Sequence, residues 1–211
     1  MPVTVNYCLC RNSVCCGSRK RRLPRFALVT VLALLLGTET LSAADSDQAD
    51  GCEESDNLLL DPAFLMSGDM SRIWRYSQHT GEKSFSYSSD EGILQLERIS
   101  EQPWMILKQR ISNPRLSGAR VRFSAKLKGD LPTEPPIHGF EHKAGLYFKA
   151  RGARGELAEH PSNHGSFDWQ LAVLDRTLPQ GAKRLDVGFV HQAGGTLWAS
   201  EPALVIVKCD E

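Results

Sequence analysis

From Ala119 to Lys128 the chain alternates apolar and polar side chains without a break. Val121, Phe123, Ala125 and Leu127 fall on one parity, and Arg120, Arg122, Ser124, Lys126 and Lys128 on the other. A period of two sends successive side chains to opposite faces of an extended strand, one face buried and the other in water. Shorter runs of the same kind occupy 84–88, 92–99, 103–111, 145–151, 167–174, 184–190 and 202–208. Turn residues separate them at Ser89-Asp90-Glu91-Gly92, Asn113-Pro114, Leu178-Pro179-Gln180-Gly181 and Gln192-Ala193-Gly194-Gly195. No stretch beyond residue 44 sustains a 3.6-residue period. The pattern predicts an all-β chain, an antiparallel β-sandwich or jelly roll with an apolar interior. Residues 129–144, proline-containing and without alternation, read as a long loop.

The N-terminal segment has a different character. Arg19-Lys20-Arg21-Arg22 and Arg25 form a cationic stretch, and Phe26 to Leu36 is an apolar run. That run is well short of the ~20 residues that span a bilayer. Ser42-Ala43-Ala44 then places small residues three and one before Asp45, the pattern of an export signal cut there. The expected organisation is a signal peptide over 1–44, a short lead over 45–56 and one domain over 57–208. Localisation follows as periplasmic or secreted, with no stable transmembrane segment after processing. An uncleaved membrane anchor is the alternative.

Four of the six cysteines, Cys8, Cys10, Cys15 and Cys16, lie in the signal segment. Their spacing lacks the second ligand cluster that a zinc site needs. Cys52 and Cys209 remain, one at each end of the domain, as a bond tying the first strand to the last would place them. Two separate buried thiols are the alternative reading. Charge is uneven as well. Between Lys108 and Arg154 eleven Lys and Arg face three Asp and Glu, whereas the rest of the exported chain is acidic.

Several motifs together carry a family resemblance. Asn57-Leu58-Leu59-Leu60-Asp61-Pro62-Ala63-Phe64 resembles the Asn-Leu-Leu-x-Asn-x-x-Phe opening of family 4/9-type carbohydrate-binding modules, in the galactose-binding-like jelly-roll group. Trp74 is similar in position to that family's early Trp, and Gly92-Ile93-Leu94-Gln95-Leu96 to its Gly-x-x-Leu-x-Leu strand. Gln109-Arg110-Ile111 followed by Val121-Arg122-Phe123-Ser124-Ala125-Lys126 resembles its Gln-x-Ile and Tyr-x-Leu-Ser-x-x-x-Lys pair. Trp169, Leu178-Pro179 with Gly181-Ala182, and Leu185-Asp186-Val187 resemble the next stretch. Gly195 to Leu204 resembles the closing Gly-x-x-Trp-x-Asp-Asp-x-x-Leu, with Ser200-Glu201 in place of the acidic pair. The resemblance spans Asn57 to Val207. It implies a jelly roll that binds carbohydrate without catalysis. It also implies a structural calcium, for which this chain has one carboxylate fewer; no cofactor and no bound metal are expected.

Sugar binding needs aromatic faces that stack on pyranose rings and polar groups that meet hydroxyls. Trp74, Tyr76, Phe85, Tyr87, Trp104 and Tyr147 are the candidates. In 103–111, Met105, Leu107 and Ile111 share one parity, and Trp104, Ile106, Lys108 and Arg110 the other. In 145–151, Leu146 and Phe148 suit a core, leaving Tyr147, Lys149 and Arg151 opposite. If both strands lie in one sheet, Trp104 and Tyr147 share an outer surface with Lys108, Arg110, Lys149 and Arg151, a set suited to an acidic saccharide. Trp74, Trp169 and Trp198 read as core or edge packing. Basic side chains on a strand also serve as guards against edge pairing.

His138 with His142 and His160 with His164 have the spacing of helical metal pairs. Gly139, Pro135-Pro136 and Pro161 disfavour helix at both, so no metal site is expected. The chain has no Gly-x-Ser-x-Gly elbow, no phosphate-cradling glycine loop and no carboxylate pair marked out by pattern. The expected function is exported, non-catalytic binding of an extracellular or envelope glycan. A protein-interaction or assembly role in the envelope is one alternative, and a glycoside-processing enzyme the other; export argues against a nucleic-acid partner. N-terminal sequencing of the exported protein is expected to begin at Asp45. Recovery of an intact Met1 form in the membrane fraction would identify an anchor instead.

Overall fold

The computed structural model of the chain describes residues 52–65 and 70–209. The expected signal segment and its four cysteines lie outside them. In chain order the strands are β1 (Cys52–Glu54), β2 (Arg75–Gln78), β3 (Phe85–Asp90), β4 (Ile93–Arg98), β5 (Trp104–Ser112) and β6 (Arg120–Asp130). There follow β7 (Lys143–Gly152), β8 (Gly155–Glu159), β9 (Ser162–His164), β10 (Phe167–Thr177), β11 (Arg184–Gln192) and β12 (Thr196–Cys209). A helical turn at Met70–Ile73 and a 3-10 turn at Pro114–Leu116 complete the set. Among the described residues no helix is long and apolar enough to cross a membrane.

The strands form two antiparallel sheets. The first has the order β10-β6-β12-β4-β3, with β1 on the far half of β12; the second has the order β2-β5-β11-β7-β8, with β9 also on β7. Consecutive strands often lie in different sheets, so the chain winds between them as a jelly roll does. The alternation explains the layering. On β6, Val121, Phe123, Ala125 and Leu127 are all fully buried, while their polar neighbours face out. Met105, Leu107 and Ile111 on β5 and Leu185, Val187 and Phe189 on β11 line the opposing inner face. Each fully buried Leu or Phe contributes about 1.5–3 kcal/mol by leaving water.

Trp74 is fully buried, its ring 5.2 Å from Phe64 and 5.8 Å from Phe189. Its indole N–H donates to the Asp61 carbonyl, so it closes one end of the core and offers no face to a ligand. Two polar members of the family-like motifs are structural anchors. Asn57 accepts from the Leu59 and Leu204 amides and donates to the Pro202 carbonyl, which ties the leading segment to β12. Buried Gln109 accepts from the Leu60 amide. The residues between β6 and β7 form the expected loop, pinned by His142. Its Nδ1 accepts from the Gly194 amide at 2.9 Å, which leaves Nε2 to donate to the Pro135 carbonyl.

Cys52 and Cys209 are joined. They stand opposite each other where β1 pairs with β12, so the bond closes a ring with a sequence separation of 157. Constraining so long a loop in the unfolded chain is worth up to about 5 kcal/mol. The Cys52→Ser/Cys209→Ser protein is therefore expected to unfold at lower urea concentration than the oxidised protein, and added reductant should not shift it further.

His191 generates a second expectation. It is fully buried on the inner face of β11, edge-on to Phe85 at 5.3 Å. Burial pushes its pKa down to about 4, and nearby Arg98 and His142 act in the same direction. Above pH 6.5 the imidazole is neutral in both states. Between pH 6.5 and 4 the unfolded chain takes up a proton that the folded protein refuses, so stability falls with falling pH, by about 3 kcal/mol across that window. Urea midpoints measured across it should fall steeply for the native protein and less steeply for His191→Met.

Candidate functional site

The second sheet brings four cationic candidates onto one outer surface. Antiparallel register sets Arg110, Asp186 and Lys149 side by side across β5, β11 and β7, and Lys108, Gly188 and Tyr147 in the adjacent row. Asp186 accepts from Lys108 Nζ at 2.9 Å, and from Arg110 Nε and Nη2 at 2.7 and 3.0 Å. Glu156 on β8 takes Lys149 at 2.9 Å and Arg151 at 2.7 Å. Each carboxylate is thus shared by two cations.

The electrostatics follow from that sharing. Burial works to raise the Asp186 pKa, but the hydrogen bonds from Arg110 and Lys108 outweigh it and hold the group below the ordinary carboxylate range. Glu156 is depressed by Lys149 and Arg151, and the Asp186 hydrogen bond raises Arg110 in turn. Neither acid is protonated near neutral pH. Neither is suited to general-acid chemistry.

The aromatic candidates are arranged differently from the sequence expectation. Tyr147 does lie on the outer parity, but it is only 4% exposed. His160 stacks on it with ring centroids 4.9 Å apart, and Lys108 Nζ approaches its ring at 5.3 Å. The exposed ring at this point is His160, whose pKa is lowered by burial and by Lys149 and Lys143. Trp104 is half-buried at the far end of β5, with His79 edge-on at 6.0 Å. Four residues along the strand and two strands across put Trp104 and Tyr147 on the order of 16 Å apart. One sugar ring cannot touch both. Phe85 is fully buried, while Tyr76 and Tyr87 stack on each other at 5.7 Å, partly buried between the sheets.

Two tryptophans expected as packing residues prove to be on the surface. Trp169 is 40% exposed on the outer face of β10, and Trp198 is half-exposed on the outer face of β12. Trp169 follows the outward parity of Leu171, Val173 and Asp175 along β10. By strict alternation Phe167 would share that face. A register shift between Phe167 and Gln170 separates them, so Phe167 lies over Gly129 against the core while Trp169 stays outward. Asp186, Glu156 and His160 were also missed, because each acts through a neighbour on another strand.

Ser200 and Glu201 hold the positions of the acidic pair in the closing motif. Ser200 brings no carboxylate, and Glu201 on the bulged part of β12 is turned to Lys126 at 2.8 Å. Among the described residues no three His, Cys, Asp or Glu side chains converge as metal ligands.

Sequence comparison finds no matching family model and no matching curated protein. Structural comparison does find relatives in shape. A family 4 carbohydrate-binding module superposes with a TM-score of 0.51 at 14% identity, over 70% of this chain and 99% of that one. The enzymatically active domain of tailspike protein 4 from bacteriophage CBA120 gives a TM-score of 0.51 at 14% identity, over 71% of this chain. This chain spans about a fifth of that tailspike chain, 21% of its length. The fold is therefore the jelly-roll β-sandwich of carbohydrate-binding modules.

Proposed function

We propose that this protein is an exported, non-catalytic glycan-binding module, and that the outer face of its second sheet receives an acidic saccharide. The observation that carries the reading is the two-to-one sharing of Asp186 and Glu156 by Lys108, Arg110, Lys149 and Arg151. The carboxylates fix the cations in place yet neutralise only half their charge. Arg110 spends two of its five N–H donors on Asp186, and Lys108 one of three. The remaining donors can meet a ligand carboxylate or sulfate without breaking the network. Arg75, opposite Lys108 across the β2–β5 ladder, extends the positive row. Trp104 and the outer side of the His160 ring supply stacking surfaces at separate points, and Tyr147 supports His160 from beneath. The depressed pKa values of Asp186 and Glu156 favour binding over hydrolysis. The Cys52–Cys209 bond fits an oxidising compartment such as the periplasm or the exterior.

Calorimetric titration with uronic-acid oligosaccharides and their neutral counterparts tests the proposal. The acidic series is expected to bind more tightly, with an affinity that falls as salt rises. Arg110→Lys should lose about tenfold despite the retained charge, because the planar fork is gone. Trp104→Ala should weaken binding equally at low and high salt. Equal affinity for acidic and neutral series would overturn the assignment, and capture of an envelope protein with no glycan binding would favour the assembly role.

A further inference from the structure

The outer face of the first sheet carries features that the acidic-glycan reading does not use. Ile93, Lys126, Trp169, Leu171, Ser200 and Glu201 line a groove of about 700 Å³, within the usual range of ligand sites. A shallower hollow of about 520 Å³ adjoins along β6, with Lys128, Asp168 and Trp198 on its walls. The register shows how they join. Leu171, Lys126, Ser200 and Ile93 form one row across β10, β6, β12 and β4, and Lys128, Trp198 and Gln95 form the next.

Three observations mark this as a built site. The first is exposure: Leu171 is 66% and Trp169 40% exposed side by side on β10, and Ile93 is 39% exposed at the other end of the row. The second is backbone geometry. Both register shifts in the described ladders fall on the strands flanking β6, between Phe167 and Gln170 and between Ser200 and Ala203. At one, Phe167 turns to the core while Trp169 stays outward; at the other, Glu201 takes a left-handed φ of 51°. Phe64, beside the wall residue Ala63, has a φ of 50°. Non-glycine residues hold such angles only where the surroundings impose them, and they gather at binding sites. The third is charge. Lys126 pairs with Glu201 at 2.8 Å and Lys128 approaches Asp168 at 3.9 Å, one carboxylate for each cation.

We propose that this groove is a second saccharide site, for an uncharged oligosaccharide. Trp169 on β10 and Trp198 on β12 stand either side of β6, two strand spacings or about 10 Å apart. That is the reach of two sugar rings joined end to end. Each indole offers an apolar face to one ring, at Trp198 shared with Lys128, whose Nζ lies 5.9 Å from the ring centroid, and Leu171 widens the apolar floor beside Trp169. The paired Lys126 and Glu201 offer a donor and an acceptor to ring hydroxyls with no net charge to favour an anion. Gln95, which accepts from the Trp198 indole N–H at 3.3 Å, fixes that ring in plane. The site stands apart from the acidic-glycan face, which lies on the other sheet.

The test uses NMR of the isotopically labelled protein, titrated with neutral β-1,4-linked gluco-, manno- and xylo-tetraose. The indole N–H resonances of Trp169 and Trp198 are expected to shift with at least one of them, leaving that of Trp104 in place. Affinity should fall about tenfold in Trp169→Ala and in Trp198→Ala, stay level from low to high salt, and survive Lys149→Ala/Arg151→Ala. Shifts confined to Trp104, or none with any of the three sugars, would overturn the proposal. So would concentration-dependent dimerisation that Trp169→Ala abolishes, which would make β10 a protein interface. The acidic-against-neutral comparison is repeated in Trp169→Ala/Trp198→Ala, where only the second sheet's face can bind, so the two sites can fail independently.

Discussion

Everything in this domain is organised about β12. The last strand runs fourteen residues through the first sheet, pairing with β6 along one side. Its other side pairs first with β4 and then, past the bulge at Ser200–Ala203, with β1. Ala199, Leu204 and Ile206 face the core beside Phe123 and Leu127, while Asn57 stitches the leading segment to the same strand. The disulfide closes the arrangement at the point where the first and last strands meet. Without β12 the first sheet would separate into a β10–β6 pair and a β3–β4 hairpin, neither with enough buried surface to persist alone.

The two outer faces show how one scaffold holds charge in two ways. On the second sheet Asp186 and Glu156 are each shared by two cations, so that face stays positive although every one of the four is paired. On the first sheet Lys126 and Lys128 each meet one carboxylate, Arg120 and Arg122 share Asp175, and Arg122 also reaches Glu54; exposed apolar side chains lie beside the two lysines. Solvent screens both sets, so neither adds much to stability. Their weight lies in the ligand chemistry each face can meet.

Legibility from sequence varied with how local the cause was. The alternation in β5, β6, β7 and β11 identified those strands to within a residue or two and assigned Met105, Leu107, Phe123 and Phe148 to the core. The two-residue turn at Glu91-Gly92, where both residues take positive φ, was readable for the same reason. Short strands escaped notice: β1, β2, β8 and β9 are three to five residues long, too short for a period to register. At the candidate site the four cations were correctly gathered on one surface, because parity within a strand is a sequence property. Their partners were not, because Asp186 and Glu156 meet them only through pairing between strands.

What the sequence determined by itself was the class of fold, the inward and outward faces of its long strands, and the two cysteines available for a bond. These depend on side-chain order along an extended backbone, which is fixed before any strand finds its neighbour. The tertiary structure decided which aromatic rings see solvent. Tyr147 was placed on the outside by parity, yet His160 folds over it from the β8–β9 connection. Phe167 and Trp169 share a parity, yet a bulge against β6 sends Phe167 to the core and leaves Trp169 outside. Both outcomes rest on how one strand registers against another, and register is set by the packing of the whole sandwich rather than by any local run of residues.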